Sequence, residues 1–357
     1  MEATQNVRVP VERLYRFVEA VLRAVDVPED DARVMADNLV QADLRGVSTH
    51  GVNILARNAR GLKIRAINPR PTVRVVEQRG ATAVVDGDRG LGQVVGARSM
   101  EVAIARAREY GVGAVVARNS NHFGAAAYFA MMALEHDMIG FAATNAPAIM
   151  APWGGVTPTL GNNPFAWAIP AGGETPLVLD MATSQAARMK IRAAAARGEK
   201  IPLGWAADAK GRPTDDPNEA LRGLLLPVGG VKGYGLALVM EVLAGVLSGA
   251  LVAKNIPRST LHGGAVIEES WQVGHFFLAL DVAHFMAPKV FAARMEDLVA
   301  QVRSSELAEG VDRVYLPGEI EALRRRENQR LGVPLHPSVV QTLNDLAAEL
   351  GLDDRLP

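Results

Sequence analysis

The 357-residue chain contains no cysteine. This absence excludes disulfide bonds, thiolate nucleophiles and metal sites built on cysteine. Because disulfides are rare in compartments that keep thiols reduced, we expect a cytoplasmic protein. The first nine residues also lack the apolar run of a secretory signal peptide, so we expect no leader sequence there.

The chain also lacks an excess of charge of one sign. It has 38 basic and 39 acidic side chains, which gives a net charge of −1 and leaves no basic stripe for nucleic acid. No two histidines stand at the close spacing of a metal site beside acidic residues. We therefore expect neither a nucleic-acid partner nor a bound metal.

Long hydrophobic runs are nearly absent, with one exception. Residues 233–253 form a stretch of 21 residues whose single charge is Glu241. This length would suit a membrane span. Because no second stretch of this kind exists, and because Lys232 and Lys254 flank it, a buried helix in a large α/β core is the preferred interpretation.

The remaining pattern predicts two domains, because a chain of this length exceeds what one hydrophobic core usually supports. Helical periodicity dominates both ends of the chain, and the prolines of Asn68–Pro71 mark a linker. Between the ends, short apolar runs alternate with helical patterns, as in α/β proteins. We predict a mainly helical domain from residues 1–71 and 288–357, and an α/β cofactor-binding and catalytic domain from residues 72–287.

Individual elements are predicted from apolar spacing and from turn residues. Helices are expected from Pro10, from Pro28, at 50–63, 93–109 and 184–196, from Gly233, and at 295–302 and 339–350. Strands are expected at 81–85, 112–117, 138–143, 164–169, 177–180, 275–280 and 313–316.

One glycine pattern imitates a dinucleotide-binding motif. Three glycines, at 90, 92 and 96, follow a predicted strand and open a helix, as in the Rossmann fingerprint. That motif also needs an acidic residue at the end of the next strand, where it binds the ribose. Here the next strand ends in Arg118-Asn119 instead. A Rossmann fold is therefore not predicted.

Two histidines lie at turns that suit catalysis. His122 follows a predicted strand, at the kind of strand-to-helix turn where α/β proteins bind ligands. His50 stands at the predicted start of the third helix, next to Thr49, whose hydroxyl could orient it. Because a helix N-terminus disfavours the imidazolium ion, a lowered pKa is expected for His50. From position alone, a structural role is the commoner one for either histidine.

Three further turns offer backbone N–H groups to an anion: Asp180–Ser184, Gly229–Gly233 and Pro317–Glu319. The second resembles half of a P-loop, but Tyr234 stands where the P-loop has serine or threonine. Triphosphate hydrolysis is therefore not expected. Several such turns without a metal motif favour a dinucleotide that lies across the surface.

A series of motifs recurs in an order that is typical of one protein family. They are Asp43-Leu44-Arg45-Gly46-Val47 with Thr49-His50-Gly51-Val52, Asn121-His122-Phe123-Gly124, Thr144-Asn145 with Pro152-Trp153-Gly154-Gly155, Gly161 with Asn163-Pro164, Asp180 to Ser184, and Gly229-Gly230 with Lys232-Gly233. With them the chain resembles, over almost its whole length, the second, non-Rossmann family of malate/L-lactate dehydrogenases. Relatives in that family include ureidoglycolate dehydrogenase, diketogulonate reductase, sulfolactate dehydrogenase and the cyclic-imine carboxylate reductases.

This resemblance implies an α/β sheet domain that is not a Rossmann fold, together with a helical domain built from both termini. It also implies an oxidoreductase that uses NAD or NADP and acts on small 2-hydroxy or 2-oxo carboxylic acids. Homodimers whose active sites lie between the subunits are expected on the same ground.

The resemblance further implies roles for individual residues. His50 matches the residue that donates and accepts the proton, Thr49 stands where a serine is usual, and His122 is expected to help place the substrate. Lys190 is expected to stabilise the developing alkoxide or to tune His50. It stands where the imine reductases carry an aspartate, which favours hydroxy-acid chemistry. The expected cofactor contacts are His122, Phe123, Gly124, Ala125, Ala126, Asp180, Met181, Ala182, Lys232, Gly233, Pro317, Gly318 and Glu319.

One position departs from the family pattern. An arginine usually follows the catalytic histidine by four residues and grips the substrate carboxylate, but here that residue is Ile54. Arg57 is the expected substitute, and Asn163 is a second expected substrate contact. Two alternatives stay open: a cyclic-imine carboxylate reductase, and a dinucleotide-binding protein without catalytic activity.

Overall fold

The computed structural model describes residues 6–257 and 269–357. The helices in these residues are α1 (Val11–Arg23), α2 (Glu29–Leu44), α3 (Leu55–Lys63), α4 (Gly92–Tyr110), α5 (Ala126–Met132), α6 (Arg188–Arg197), α7 (Pro217–Arg222), α8 (Val231–Met240), α9 (Pro288–Arg303), α10 (Glu319–Leu331) and α11 (Pro337–Glu349). The strands are β1 (Val7–Val9), β2 (Arg74–Arg79), β3 (Thr82–Asp86), β4 (Val112–Ser120), β5 (Met138–Thr144), β6 (Phe165–Ile169), β7 (Leu177–Met181), β8 (Ala206–Ala207), β9 (Pro213–Thr214), β10 (Leu224–Leu225), β11 (Val273–Asp281) and β12 (Val333–Leu335).

Seven strands form the central sheet, in the order β2-β3-β4-β11-β5-β6-β7. Strands β3 and β4 run parallel, and the other neighbouring pairs in this described sheet are antiparallel. Helix α4 connects the parallel pair and packs against β4 and β11, while α5 covers β5 and β6. Strand β11 is inserted between β4 and β5, so residues from late in the chain close the middle of the sheet.

The predicted α/β class and the absence of a Rossmann fold are both confirmed, because a Rossmann sheet is built mostly from parallel strands. The glycines that imitated its motif serve packing instead. A Cβ on Gly92 would lie 2.2 Å from the carbonyl oxygen of Asn121, and a Cβ on Gly96 would lie 2.6 Å from the ring of Phe129. Both glycines let the first turns of α4 approach the chain that follows β4.

A separate hydrophobic core joins the two ends of the chain. Helices α1, α2 and α3 pack together with α11, and β1 pairs antiparallel with β12. The helices form this core because their apolar side chains recur at helical spacing, as Leu14, Phe17 and Leu22 do along α1. The N-terminal and C-terminal segments therefore fold as neighbours.

The third helix begins later than predicted. His50 closes a 3-10 turn, Ser48–His50. A second short turn follows at Val52–Ile54, and α3 starts after it. His50 therefore does not lie at the N-terminus of an α-helix, and a helix dipole cannot be the cause of a change in its pKa.

Other element predictions also need correction. The helix predicted at 184–196 corresponds to α6 and starts later. The strand predicted at 313–316 is not formed, and there the backbone N–H of Leu316 donates to the side chain of Glu319 rather than to a neighbouring strand. Strand β2, the β1–β12 pair and the small sheet of β8, β9 and β10 were not predicted, because such short or exposed strands carry no readable alternation.

The apolar stretch at 233–253 is not a buried helix, so the preferred interpretation was wrong. It contains most of α8 and a π-helical turn, Glu241–Val246. In the described part of the chain, no helix is long and apolar enough to cross a membrane. Several apolar side chains of this stretch face solvent: Leu236, Leu238, Val239, Val242, Val246 and Leu247.

Replacing Gly113 by alanine should destabilise the fold. A Cβ there would lie 1.9 Å from the carbonyl oxygen of Ala103, where β4 crosses α4, so the backbone would have to shift. Overpacking of this kind typically costs about 1–3 kcal/mol in the free energy of unfolding, which urea denaturation measures. Gly173→Ala is the matched control, because its Cβ would have its nearest neighbour at 3.7 Å. Equal losses in both variants would contradict the packing argument.

Candidate active site

The side chain of Asp43 stabilises the turn that carries His50. This aspartate is buried near the end of α2, and its carboxyl group accepts the backbone N–H of Val52 at 2.7 Å. A Cβ on Gly51 would lie 2.2 Å from the same carboxyl group, so glycine is required above it. Burial raises the pKa of Asp43 to about 7. The conformation of the turn therefore depends on one buried side chain.

His50 presents one ring nitrogen that is free of hydrogen bonds within the described residues. Its Nδ1 lies 2.9 Å from the hydroxyl of Thr49, and within the described residues its Nε2 has no hydrogen-bond partner. The ring stacks on that of His122, with the ring centres 5.5 Å apart. Burial and the charge of Arg57 lower the pKa of His50 to about 4. The expected direction of this shift is right, but these two causes replace the helix dipole.

His122 lies directly after β4, at the expected strand-to-helix turn. Its Nδ1 accepts the backbone N–H of Gly124 at 3.3 Å, so the proton of the neutral ring is on Nε2. Burial and the charge of Arg57 lower the pKa of His122 well below its ordinary value. Gly124 has a φ of +84°, and a Cβ there would lie 2.3 Å from Oδ1 of Asn38. Only glycine suits this turn.

Arg57 is a cation without an anionic partner among the described residues. It lies on α3, and its Nε and Nη2 are closed to solvent and make no hydrogen bond in that part of the chain. Its guanidinium lies 5.7 Å from the ring centre of Trp271. Burial lowers the pKa of Arg57 to about 10, so the group stays charged at neutral pH. Nε and Nη2 form one edge of the guanidinium, which suits bidentate binding of a carboxylate.

Ile54, by contrast, is a core residue. Its side chain is 8% exposed and belongs to the hydrophobic core that joins both ends of the chain. Arg57 follows one helical turn later, and its charge acts on both His50 and His122. The structure therefore places a guanidinium beside the two histidines even though the usual arginine position is occupied by isoleucine.

Hydrogen bonds join β7 to other chain segments that were predicted to contact the dinucleotide. The carboxylate of Asp180 accepts the backbone N–H of Ala127 at 3.0 Å, which joins the end of β7 to the chain after His122. The N–H of Val178 donates to the carbonyl oxygen of Pro317 at 2.9 Å, which joins β7 to the turn before α10.

The segment at Lys232-Gly233 is tied to the same strand end. The backbone N–H of Val228 donates to the carbonyl oxygen of Thr183 at 2.9 Å. A Cβ on Gly233 would lie 2.2 Å from the carbonyl oxygen of Val228, so this glycine permits the close approach. The expected cofactor contacts thus come from chain segments that are bonded to one another around β7.

The comparison with known proteins identifies the family. Residues 9–344 match the malate/L-lactate dehydrogenase family. The chain belongs to this family. It is 40% identical over 355 residues to malate dehydrogenase of Pyrococcus horikoshii, which covers 97% of this chain and 96% of the relative.

Sulfolactate dehydrogenases are similar to the chain to the same degree. L-sulfolactate dehydrogenase of Methanocaldococcus jannaschii is 42% identical over 338 residues, covering 95% of this chain and 96% of the relative. A solved structure of sulfolactate dehydrogenase from that organism superposes with a TM-score of 0.89 at 41% identity, covering 97% of this chain and 98% of the other. (2R)-3-sulfolactate dehydrogenase (NADP(+)) of Chromohalobacter salexigens is 38% identical, covering 88% and 91%. The predicted membership of the malate/L-lactate dehydrogenase family is confirmed.

One residue that the malate/L-lactate dehydrogenase resemblance assigned to the substrate is paired within the protein. Nδ2 of the buried Asn163 donates to Glu241 at 2.7 Å and to the carbonyl oxygen of Ala237 at 2.9 Å. Its Oδ1 accepts the N–H of Ala146 at 3.0 Å. These bonds fix the loop after β5 against α8. Contact between Asn163 and the substrate stays a prediction.

The side chains of two predicted cofactor residues, Glu319 and Phe123, are also engaged in contacts within the protein. The carboxylate of Glu319 accepts the N–H of Leu316 at 3.1 Å and pairs with Arg313. The ring of Phe123 lies in the core, stacked on that of His275 with the ring centres 4.7 Å apart. For Phe123, the backbone is therefore the part that can meet a cofactor. Both contacts stay predictions.

The two predicted lysines lie at the surface. Lys190 is exposed in the first turn of α6, and it is not among the charges that shift the pKa of His50. Its action on His50 stays a prediction. Lys232 is exposed in the first turn of α8 and has no ion pair within residues 6–257 and 269–357. Met181 and Ala182 are partly exposed beside Asp180 and are accessible to a ligand.

A further histidine is fully buried and has a structural role. His275, on β11, lies 2.8 Å from the hydroxyl of Thr144 on β5 and 2.7 Å from that of Ser120 on β4. Burial lowers its pKa to about 3, so it links the three strands as a neutral ring. Where the structure describes the chain, no three histidine or acidic side chains lie close enough together to hold a metal ion.

Two residues of this site, Asp43 and Trp271, were not predicted from the sequence. Asp43 stands in a quoted family motif, but nothing beside it in the sequence indicates that its carboxyl group lies beneath Gly51. Trp271 is 150 positions away from Asn121, to which its backbone bonds. Nothing in the sequence around Trp271 indicates that its ring faces Arg57, because that contact depends on the order of the strands.

His50 should titrate well below the ordinary histidine range. The positive charge of Arg57 disfavours the imidazolium ion, so Arg57→Gln should raise the pKa of His50 from about 4 toward 6.5, while burial keeps it below that value. NMR titration of the histidine ring protons measures both values, with His50→Asn to assign the signal. An unchanged pKa in Arg57→Gln would show that the two groups are not coupled.

Proposed function

We propose that this chain is an NAD(P)-dependent 2-hydroxy acid dehydrogenase, which transfers a hydride between C4 of a nicotinamide and C2 of a small 2-oxo acid. The observation that carries this proposal is Arg57, a buried guanidinium with an unpaired carboxylate-binding edge beside two neutral imidazoles. The relatives named malate and sulfolactate dehydrogenase support the same class of reaction.

In this reaction His50 moves the proton on the substrate oxygen. During oxidation, Nε2 of His50 accepts the proton of the 2-hydroxyl group while the C2 hydrogen leaves as hydride, and reduction reverses both transfers. The hydroxyl of Thr49 holds Nδ1 and so fixes the ring. The N–H at Nε2 of His122 donates to the same oxygen. When His50 becomes charged, the substrate carboxylate on Arg57 offsets the second positive charge.

The residues around β7 fit a nicotinamide dinucleotide. Gly124 and Gly318 have φ values of +84° and bring bare backbone to this region, and Lys232 is an exposed cation for a phosphate. The bound cofactor would supply or accept the hydride. We propose NAD or NADP, and one relative is named for NADP.

Two alternative functions are less well supported. Reduction of a cyclic imine carboxylate is disfavoured by Lys190, because the imine reductases of this family carry an aspartate there. A dinucleotide-binding protein without turnover was considered because Ile54 replaces the usual arginine. Ile54 lies in the core, and the charge of Arg57 acts on both histidines, which supports Arg57 as the group that anchors the carboxylate.

The purified protein should oxidise NADH or NADPH in the presence of at least one small 2-oxo acid. A panel of pyruvate, oxaloacetate, sulfopyruvate and piperideine-2-carboxylate separates the proposed substrate class from the imine alternative. His50→Asn should lower kcat by about 10²–10⁴-fold, because general acid–base catalysis is worth that much. Fluorescence titration should show nearly unchanged affinity for the reduced cofactor. Normal turnover by His50→Asn would show that another group moves the proton.

Arg57→Gln should lower kcat/KM for the 2-oxo acid by about 30-fold or more, because truncating one partner of a buried charge pair costs about 2–5 kcal/mol. Arg60→Gln, an exposed arginine on the same helix, is the matched control and should behave like the wild type. Steady-state kinetics over a range of acid concentrations measures the effect. Equal kcat/KM in the two variants would remove Arg57 from substrate binding.

We further propose a homodimer with its active sites at the subunit interface. The apolar face on α8 and the following π-helical turn supports an interface, because exposed apolar patches mark interaction surfaces. We also propose a division into two domains and a cellular location. The division is into residues 1–71 with 288–357 and residues 72–287, which the shared core of both chain ends supports. The location is cytoplasmic, which the lack of cysteine supports.

Light scattering should give a mass of about twice the 38.0 kDa of one chain. Val246→Asp, in the exposed apolar face, should shift the protein toward monomers, because burying an unpaired carboxylate opposes association. Leu203→Asp is the control, since Leu203 is 70% exposed and lies elsewhere. A wild-type monomer, or equal dimer content in the two variants, would contradict this assignment of the interface.

A further inference from the structure

Trp271 contacts two groups of the proposed active site. The guanidinium of Arg57 lies 5.7 Å from its ring centre, and the ring of His122 meets it edge-on at 5.9 Å, with the two planes at 88°. The residue is buried, with 9% of its surface exposed. Trp271 therefore lies where it can act on substrate binding.

The backbone of Trp271 is held in place by one amide side chain. Oδ1 of Asn121 accepts the N–H of Trp271 at 3.0 Å and the hydroxyl of Ser270 at 3.3 Å. Nδ2 of Asn121 donates to the carbonyl oxygens of Arg89 and Gly90, both at 2.9 Å. The start of β11 is thereby locked to the turn before α4.

Apolar side chains support the ring itself. Trp271 forms a small hydrophobic cluster with Ile256 and Val273, against which Leu251 also packs. This packing and the bonds to Asn121 restrict the position of the ring against which the guanidinium of Arg57 lies.

The indole ring of Trp271 stabilises the charge of Arg57, which has no carboxylate partner among the described residues. No described carboxylate pairs with Arg57, and a cation attracted to an aromatic face is stabilised more strongly when both are removed from water. Contact with a fixed ring also restricts the plane of the guanidinium. The direction of its Nε–Nη2 edge therefore depends on Trp271.

We propose that Trp271 determines substrate specificity, by orienting Arg57 so that the site selects acids with a carboxylate next to the reacting carbon. This inference rests on the proposed function, because it takes Arg57 as the group that binds that carboxylate. A leucine at position 271 would occupy part of the volume but would neither attract nor orient the guanidinium.

The test compares the wild type with Trp271→Leu and Trp271→Phe. For the best 2-oxo acid of the panel and its neutral 1-methyl ester, kcat/KM gives the preference for the free carboxylate. Trp271→Leu should lower this preference about tenfold, and Trp271→Phe by less, because phenylalanine keeps a smaller aromatic face. The affinity for NADH should stay near the wild-type value, whereas the lost packing against Ile256 and Val273 should lower the Tm. A merely structural role would lower the Tm and leave the preference for the free carboxylate unchanged.

A binding measurement keeps this inference distinguishable from the proposed function. Calorimetric titration with oxamate, an unreactive analogue of pyruvate, tests the anion site without turnover. Binding to the wild type that weakens about tenfold in Trp271→Leu supports the inference, even if no 2-oxo acid is reduced. A failure to reduce any 2-oxo acid would overturn the proposed function but not this inference. Oxamate affinity and ester preference that match the wild type in both variants would overturn the inference.

Discussion

The guanidinium of Arg57 lies where little water reaches, and no acidic side chain of the described chain balances its charge. Burial lowers the pKa of both His50 and His122, and the cost of a second positive charge near Arg57 lowers it further, so both rings stay neutral. An entering carboxylate would reverse this balance, because it pairs with Arg57 and makes a charged imidazole easier to form. In the proposed reaction, substrate binding and proton transfer thus depend on the same unpaired cation.

The order of the strands brings the groups of this site together. Strand β11 runs antiparallel to β4, and Val273 at its start pairs with Ser120 at the end of β4. The chain just before β11 and the chain just after β4 are therefore neighbours, which places Trp271 beside His122. Arg57 comes from α3, which belongs to the core that joins both ends of the chain, and its guanidinium lies near Trp271. The site lies where the sheet meets the helices from the N-terminal part of the chain.

Elements with strong local patterns were predictable, and contacts between distant segments were not. The apolar run of β4 and the turn at His122 were recognisable because one short stretch carries both. The turn at His50 was mistaken for a helix start, because its conformation depends on the buried carboxyl group of Asp43 rather than on neighbouring residues. The helix α8 was wrongly predicted to be buried, because an apolar sequence does not indicate whether its side chains pack inside the chain or lie on its surface. Trp271 was missed because strand order decides what its ring touches.

The late position of β11 has a consequence for synthesis on the ribosome. His275 reaches across the sheet to Thr144 and Ser120, which precede it by 131 and 155 residues. Until β11 has been made, β4 and β5 lack their shared neighbour, and each presents an unpaired edge that can attract other chains. Closing such long loops also slows folding. The nascent protein is therefore most prone to aggregation while residues between β5 and β11 are being added.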